Sequence, residues 1–217
     1  MSNLIKNQRA SKAATMVNEI KKQISLSDRV AKAMMAVERE HFVPRGMIMS
    51  AYRLDALPLN SKQFISSPLT VAKMTTYLMA EGCDSILEIG CGSGYQAAVL
   101  SKLARRVLSI ERIEKLLKEA KENFKKAEIF NILTKLDDGQ NGWAEYAPFD
   151  RIIFSATAQK IPIELLDQLE VGGVMVFPLL HENKQFITRI IKTESGYKKE
   201  ELEECEFVPV LSGIDKS

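Results

Sequence analysis

Three observations predict an α/β fold with a doubly wound, mostly parallel sheet. From residue 85 onward, short apolar runs of strand length alternate with helix-like segments. The first such run opens into a glycine cluster, Gly90-Cys91-Gly92-Ser93-Gly94. The chain ahead of it reads as helices around one irregular stretch, and its last forty residues carry strand-like runs suited to an antiparallel edge. With 217 residues, a single domain is expected. It divides into an N-terminal helical and loop segment (1–82), a βαβ core (83–180) and a C-terminal β edge (181–217).

Each element has its own reason. Ala13, Met16, Val17, Ile20 and Ile24 recur at helical spacing, and Ser27-Asp28 offers a cap before Val30, Ala33, Met34 and Val37. Pro44 and Gly46 end that run, and residues 47–66 look irregular. A further helix is expected after Ser66-Ser67-Pro68, a serine cap with proline in the first turn, bearing Val71, Met74 and Leu78. Strands are expected at 85–89, 106–110, 131–136, 150–155 and 174–177. Helices fall between them at 95–103, 113–126 and 162–169. Phe186–Ile191 and Phe207–Leu211, around the turn-like Glu194-Ser195-Gly196, are read as the antiparallel edge.

Composition narrows the function classes. Thirty Lys and Arg against 28 Asp and Glu leave a net charge of +2. That balance gives no electrostatic reason to expect nucleic acid or a membrane surface as partner. No run approaches the ~18 apolar residues of a membrane span, and the first residues lack the apolar centre of a secretory signal. Cys83, Cys91 and Cys205 form neither a disulfide framework nor a metal pair, so no metal site and a reducing, cytoplasmic setting are expected. Two histidines, His41 and His181, argue against His-based catalysis.

The chemistry concentrates at Glu88-Ile89-Gly90-Cys91-Gly92-Ser93-Gly94-Tyr95, at the end of the first core strand. Ligands of open α/β sheets bind just beyond the carboxyl ends of the strands. Glu111 ends the next strand, 17 residues past the last glycine, where a carboxylate can accept from both ribose hydroxyls. A dinucleotide fingerprint wants Gly or Ala at the sixth position, where this chain has Tyr95. Glu88 ahead of the loop discourages a pyrophosphate and suits a cationic ligand, which favours S-adenosylmethionine over a dinucleotide. Asp138-Gly139, ending the third strand, reads either as an adenine contact or as an Asp-Gly turn.

Taken together, the chain resembles the protein-L-isoaspartate O-methyltransferase family from about Ser27 to Pro209. The resemblance rests on Arg39-Glu40-His41-Phe42-Val43-Pro44, Asp55 with Leu57-Pro58-Leu59, Gln63-Phe64-Ile65-Ser66-Ser67-Pro68, the glycine loop and Glu111-Arg112. It continues through Asp138-Gly139 with Gly142-Trp143, Ala147-Pro148-Phe149-Asp150, Ser155-Ala156-Thr157-Ala158, Gly172-Gly173 and Phe207-Val208-Pro209. The resemblance implies a Rossmann-like methyltransferase fold and S-adenosyl-L-methionine as cofactor. It implies isoaspartyl proteins and peptides as substrates, with a monomeric enzyme. Gly90, Gly92, Gly94 and Glu111, with Glu88, Ser93 and Arg112, would hold the methionine and ribose ends, and Asp138-Gly139 the adenine side. Ser66 matches the active-site serine, and Ile65, Ser67 and Val208 match the substrate contacts. Lys62, Phe64 and Asn60 depart from the family pattern beside the substrate pocket, and Asp137, Leu69 and Cys91 depart elsewhere.

The implied reaction suits the residues. A carboxylate acceptor is ionised at neutral pH, with an ordinary pKa near ~4, and needs no strong base. Ser66 would orient it by a hydrogen bond, or would instead cap the helix before Pro68. A non-catalytic, cofactor-binding adaptor and a methyltransferase with a different substrate are the alternatives. Ser155-Ala156-Thr157-Ala158 stands where amino-methylating nucleic-acid enzymes carry a Pro-Pro-aromatic motif.

Overall fold

Helical periodicity at the N-terminus yields α1 (Asn3–Lys21) and α2 (Asp28–Met35) in the computed structural model, which describes residues 3–216. Ser27 caps α2 as expected, its side chain accepting from the Val30 amide. Two 3₁₀ turns follow, Arg39–His41 and Arg45–Ser50. The stretch expected to be irregular holds a small antiparallel hairpin, β1 (Leu57–Pro58) and β2 (Phe64–Ile65). It leads into α3 (Pro68–Tyr77). Among the described residues, no helix is long and apolar enough to cross a membrane.

The core then alternates: β3 (Ser85–Ile89), α4 (Tyr95–Leu100), β4 (Arg106–Glu111), α5 (Glu114–Lys126), β5 (Ile132–Leu136), β6 (Phe149–Phe154), α6 (Ile163–Asp167), and β7 (Leu169–His181). Two long strands close the sheet, β8 (Lys184–Thr193) and β9 (Gly196–Cys205). The sheet order is β5-β4-β3-β6-β7-β8-β9. Strands β3 to β7 pair in parallel, and β7–β8 and β8–β9 are antiparallel. The order reverses between β3 and β6, so their carboxyl ends open a crevice.

Alternation along each strand feeds two cores. Ile86, Val107, Ile153 and Val176 face the layer of α1 to α5. Leu87, Leu108, Ile152 and Phe177 face the other side, where α6 and the segment around Trp143 and Tyr146 make a thinner cover.

The C-terminal edge corrects one expectation. Its outer strand is Gly196–Cys205, not Phe207–Leu211. A run as charged as Lys198-Lys199-Glu200-Glu201 has no apolar alternation to read. It pairs because it sits at an exposed edge, where Arg189 meets Glu200 and Lys184 meets Glu204 across the strands. Such charge also blocks pairing with a further strand. Residues 207–211 instead turn across the carboxyl ends of the sheet, bridging Thr157 at Pro209.

Candidate active site

The glycine loop is built by two strand ends. After β3 the Gly90 amide donates to the Ile110 carbonyl at 2.9 Å, which fastens the loop to β4. Gly90 lies at φ 90°, and an added Cβ would touch Ser155 at the end of β6, across the crevice. Gly94 is constrained harder: its φ is 89° and a Cβ would stand 2.6 Å from the Phe124 ring. The loop therefore turns tightly into α4 with α5 packed against its back.

A cleft partly open to solvent lies over this loop. The β2 segment with Ile65 and Ser66 forms one wall, and Ile113 and Leu116 form another. The segment from Val208 to Leu211 borders it as well. That last stretch is tied down by backbone bonds, Thr157 donating to Val208 and Val210 to Thr157. Farther on, Asp215 donates to the Arg112 carbonyl, and the Arg112 guanidinium donates to Gly213.

Of the residues expected from sequence, Ile65, Ser66, Gly90, Gly92, Ser93, Glu111, Arg112, Gly139 and Val208 meet at this cleft. The Ser66 hydroxyl takes no partner among the described residues. Glu111 is almost wholly buried, and its two oxygens accept the amides of Gly92 and Ile113, each at 2.9 Å. Burial raises its pKa against the opposing pull of those amides.

Four expected residues lie elsewhere. Gly94 serves the packing just described. Ser67 is the helix cap: its Oγ accepts the Thr70 amide at 3.0 Å, so capping falls to Ser67 and Ser66 is left free of it. Asp138 turns away from the cleft, with Oδ1 accepting from Gln140 and Oδ2 from the Gly213 amide at 2.8 Å. It anchors the segment that borders the site.

Glu88 is the clearest correction. A strand residue alternates faces, and Glu88 follows Ile86 onto the helical side, beneath the loop, with no exposed surface. Its Oε2 accepts the Ser109 hydroxyl and its Oε1 has no partner. Burial pushes its pKa up to about 8; the Ser109 bond opposes this and the charge of Glu111 adds to it. The carboxyl is thus protonated at neutral pH and offers no negative charge to a ligand. Cys91, beside it, is held as a thiol by burial.

Sequence reasoning missed Gln96, Ser155, Ala156 and the run Pro209–Leu211 as lining groups. The position of Ser155 and Ala156 directly after β6, opposite the glycine loop, was the available signal. Neither histidine lines the cleft. Among the described residues, no group of three or more potential metal ligands is assembled.

Residues 10–215 match the family model described as Protein-L-isoaspartate(D-aspartate) O-methyltransferase. The chain belongs to this family. A protein-L-isoaspartate O-methyltransferase of Helicobacter pylori (strain G27) is 52% identical over 200 residues, covering 92% of this chain and 96% of the relative. One from Vibrio cholerae (serotype O1, strain O395) is 42% identical over 202 residues, covering 93% and 97%. The fold is shared with a Plasmodium falciparum protein of this description crystallised with S-adenosyl-L-homocysteine. That match has a TM-score of 0.82 at 22% identity, over 92% of this chain and 98% of the other. The seven-stranded, mostly parallel sheet is thus the Rossmann-like sheet of these methyltransferases.

Proposed function

We propose that this protein transfers a methyl group from S-adenosyl-L-methionine to the free carboxylate of L-isoaspartyl residues in damaged proteins and peptides. The observation that carries the reading is the meeting of the glycine loop, Glu111 and the Ser66 segment at one cleft, in a chain of this family.

The residues fit the cofactor. Gly90 and Gly92 leave the cleft floor without side chains, and Glu111 lies at the end of the neighbouring strand with carboxylate lone pairs to spare beyond its two amides. In this reading Gly90, Gly92 and Ser93 hold the methionine end, Glu111 accepts the ribose hydroxyls, and Gly139 adjoins the adenine. When bound, the cofactor supplies an electrophilic methyl on a sulfonium, which passes to a carboxylate oxygen and leaves S-adenosylhomocysteine.

The chain's own task is positioning. The acceptor arrives ionised, so no side chain has to remove a proton, in keeping with a cleft that no histidine lines. Ser66, its hydroxyl unengaged, donates a hydrogen bond that turns the carboxylate. Ile65 and Val208 flank the peptide. Val71, Ile113 and Leu116 add apolar surface to the lining of the cleft. Orientation alone can account for several kcal/mol of barrier. A monomeric, cytoplasmic enzyme without nucleic-acid or membrane partners accompanies this reading. Three free cysteines and a net charge of +2 support it.

The test is a labelled methyl donor offered with an isoaspartyl peptide and its aspartyl twin. Base-labile methyl incorporation into the isoaspartyl peptide alone is expected. Its absence from both, with the cofactor still bound, would make the protein an adaptor instead.

A further inference from the structure

Arg39 is fully buried, yet among the described residues no carboxylate pairs with it. Removing a cation from water without a counter-ion is costly, and an apolar side chain of similar size would fill the space at less expense. Its contacts show what the guanidinium does there. Nη1 donates to the Ala51 carbonyl at 2.5 Å and Nη2 to the Ser66 carbonyl at 3.0 Å. The guanidinium carbon lies 5.1 Å from the centroid of the Tyr95 ring.

These three partners belong to different parts of the site. Ala51 follows the 3₁₀ turn ahead of the hairpin. Ser66 leaves β2 on the acceptor side of the cleft. Tyr95 opens α4 directly behind the glycine loop, on the cofactor side, and also borders the cleft. One planar, rigid side chain thus spans the seam between the two halves of the site. Two carbonyls at fixed directions and a ring face are a demand that a guanidinium meets and an ammonium does not.

We propose that Arg39 is a positioning residue for methyl transfer, fixing the Ser66 segment relative to the glycine loop. The proposal rests on Ser66 lying at the acceptor carboxylate. In-line displacement is sensitive to the distance between donor and acceptor, and a misplacement of ~1 Å can cost on the order of a hundredfold.

The experiment compares wild type with R39K, R39Q, S66A and the double variant R39K/S66A. It measures kcat on an isoaspartyl peptide, S-adenosylhomocysteine affinity by calorimetry, and Tm. R39K and R39Q should lose at least about tenfold in kcat while S-adenosylhomocysteine affinity stays within about threefold. Because Arg39 would act through the placement of the Ser66 hydroxyl that S66A removes, the double variant should be no slower than S66A within about twofold. R39K with kcat within twofold of wild type would overturn the proposal. So would parallel loss of kcat and S-adenosylhomocysteine affinity in both Arg39 variants, which would assign the residue to the fold alone. If S66A lowers kcat and the two losses multiply, only the role of Arg39 fails. If S66A is silent, the reading of Ser66 fails and the proposal falls with it.

Discussion

Replacing Glu88 with glutamine removes the one buried carboxyl whose protonation the fold controls most strongly. In the folded chain this group keeps its proton up to about pH 8, whereas its ordinary pKa is 4.5. Between those values the unfolded chain has released the proton and the folded chain has not, so stability falls as pH rises through that window. The loss is complete above about pH 8 and absent below about pH 4.5. At about 1.4 kcal/mol per unit, the window corresponds to on the order of 4 to 5 kcal/mol, a large share of a typical domain's ~5–15 kcal/mol. The glutamine of Glu88→Gln is neutral throughout and can still accept the Ser109 hydroxyl. Urea unfolding at pH 5 and pH 8 should therefore show a variant whose advantage over wild type grows by several kcal/mol. In thermal scans the gap should widen by about 10 °C, given ~2–4 °C per kcal/mol at this size. Because Glu88 lies beneath the loop, S-adenosylhomocysteine affinity should change little. Parallel pH profiles for the two proteins would refute the argument that burial keeps this carboxyl neutral.

Other substitutions separate ligand contacts from scaffolding. Glu111→Ala should weaken S-adenosylhomocysteine binding at least about tenfold in calorimetry, since it removes both the ribose acceptor and the brace on the Gly92 amide; unchanged affinity would reject the assignment. Ser67→Ala should lower stability by about 1 kcal/mol, the worth of a helix cap, and Tm by a few degrees, while leaving cofactor affinity intact. Gly94→Ala places a Cβ 2.6 Å from Phe124 at a positive φ. It should destabilise by several kcal/mol, read as loss of soluble protein or a large fall in urea midpoint.

The amino-acid sequence alone determined the parallel core, because short apolar runs there alternate regularly with helix-like segments, and it located the cleft, because three alternating glycines after a strand have few other uses. It also carried the pairing of Glu111 with that loop. Local pattern did not decide what lies beyond its range. Whether Glu88 meets a ligand or the core depends on which face of β3 it takes and what covers that face. Ser66 and Ser67 are adjacent and alike, and only the position of α3 makes one a cap and leaves the other open to the cleft. The charged strand Gly196–Cys205 owes its pairing to β8, and the path of residues 207–215 to anchors at Thr157, Asp138 and Arg112, contacts between residues far apart in the chain. Arg39 belongs with these: its three partners come together only when separate segments pack around one buried charge.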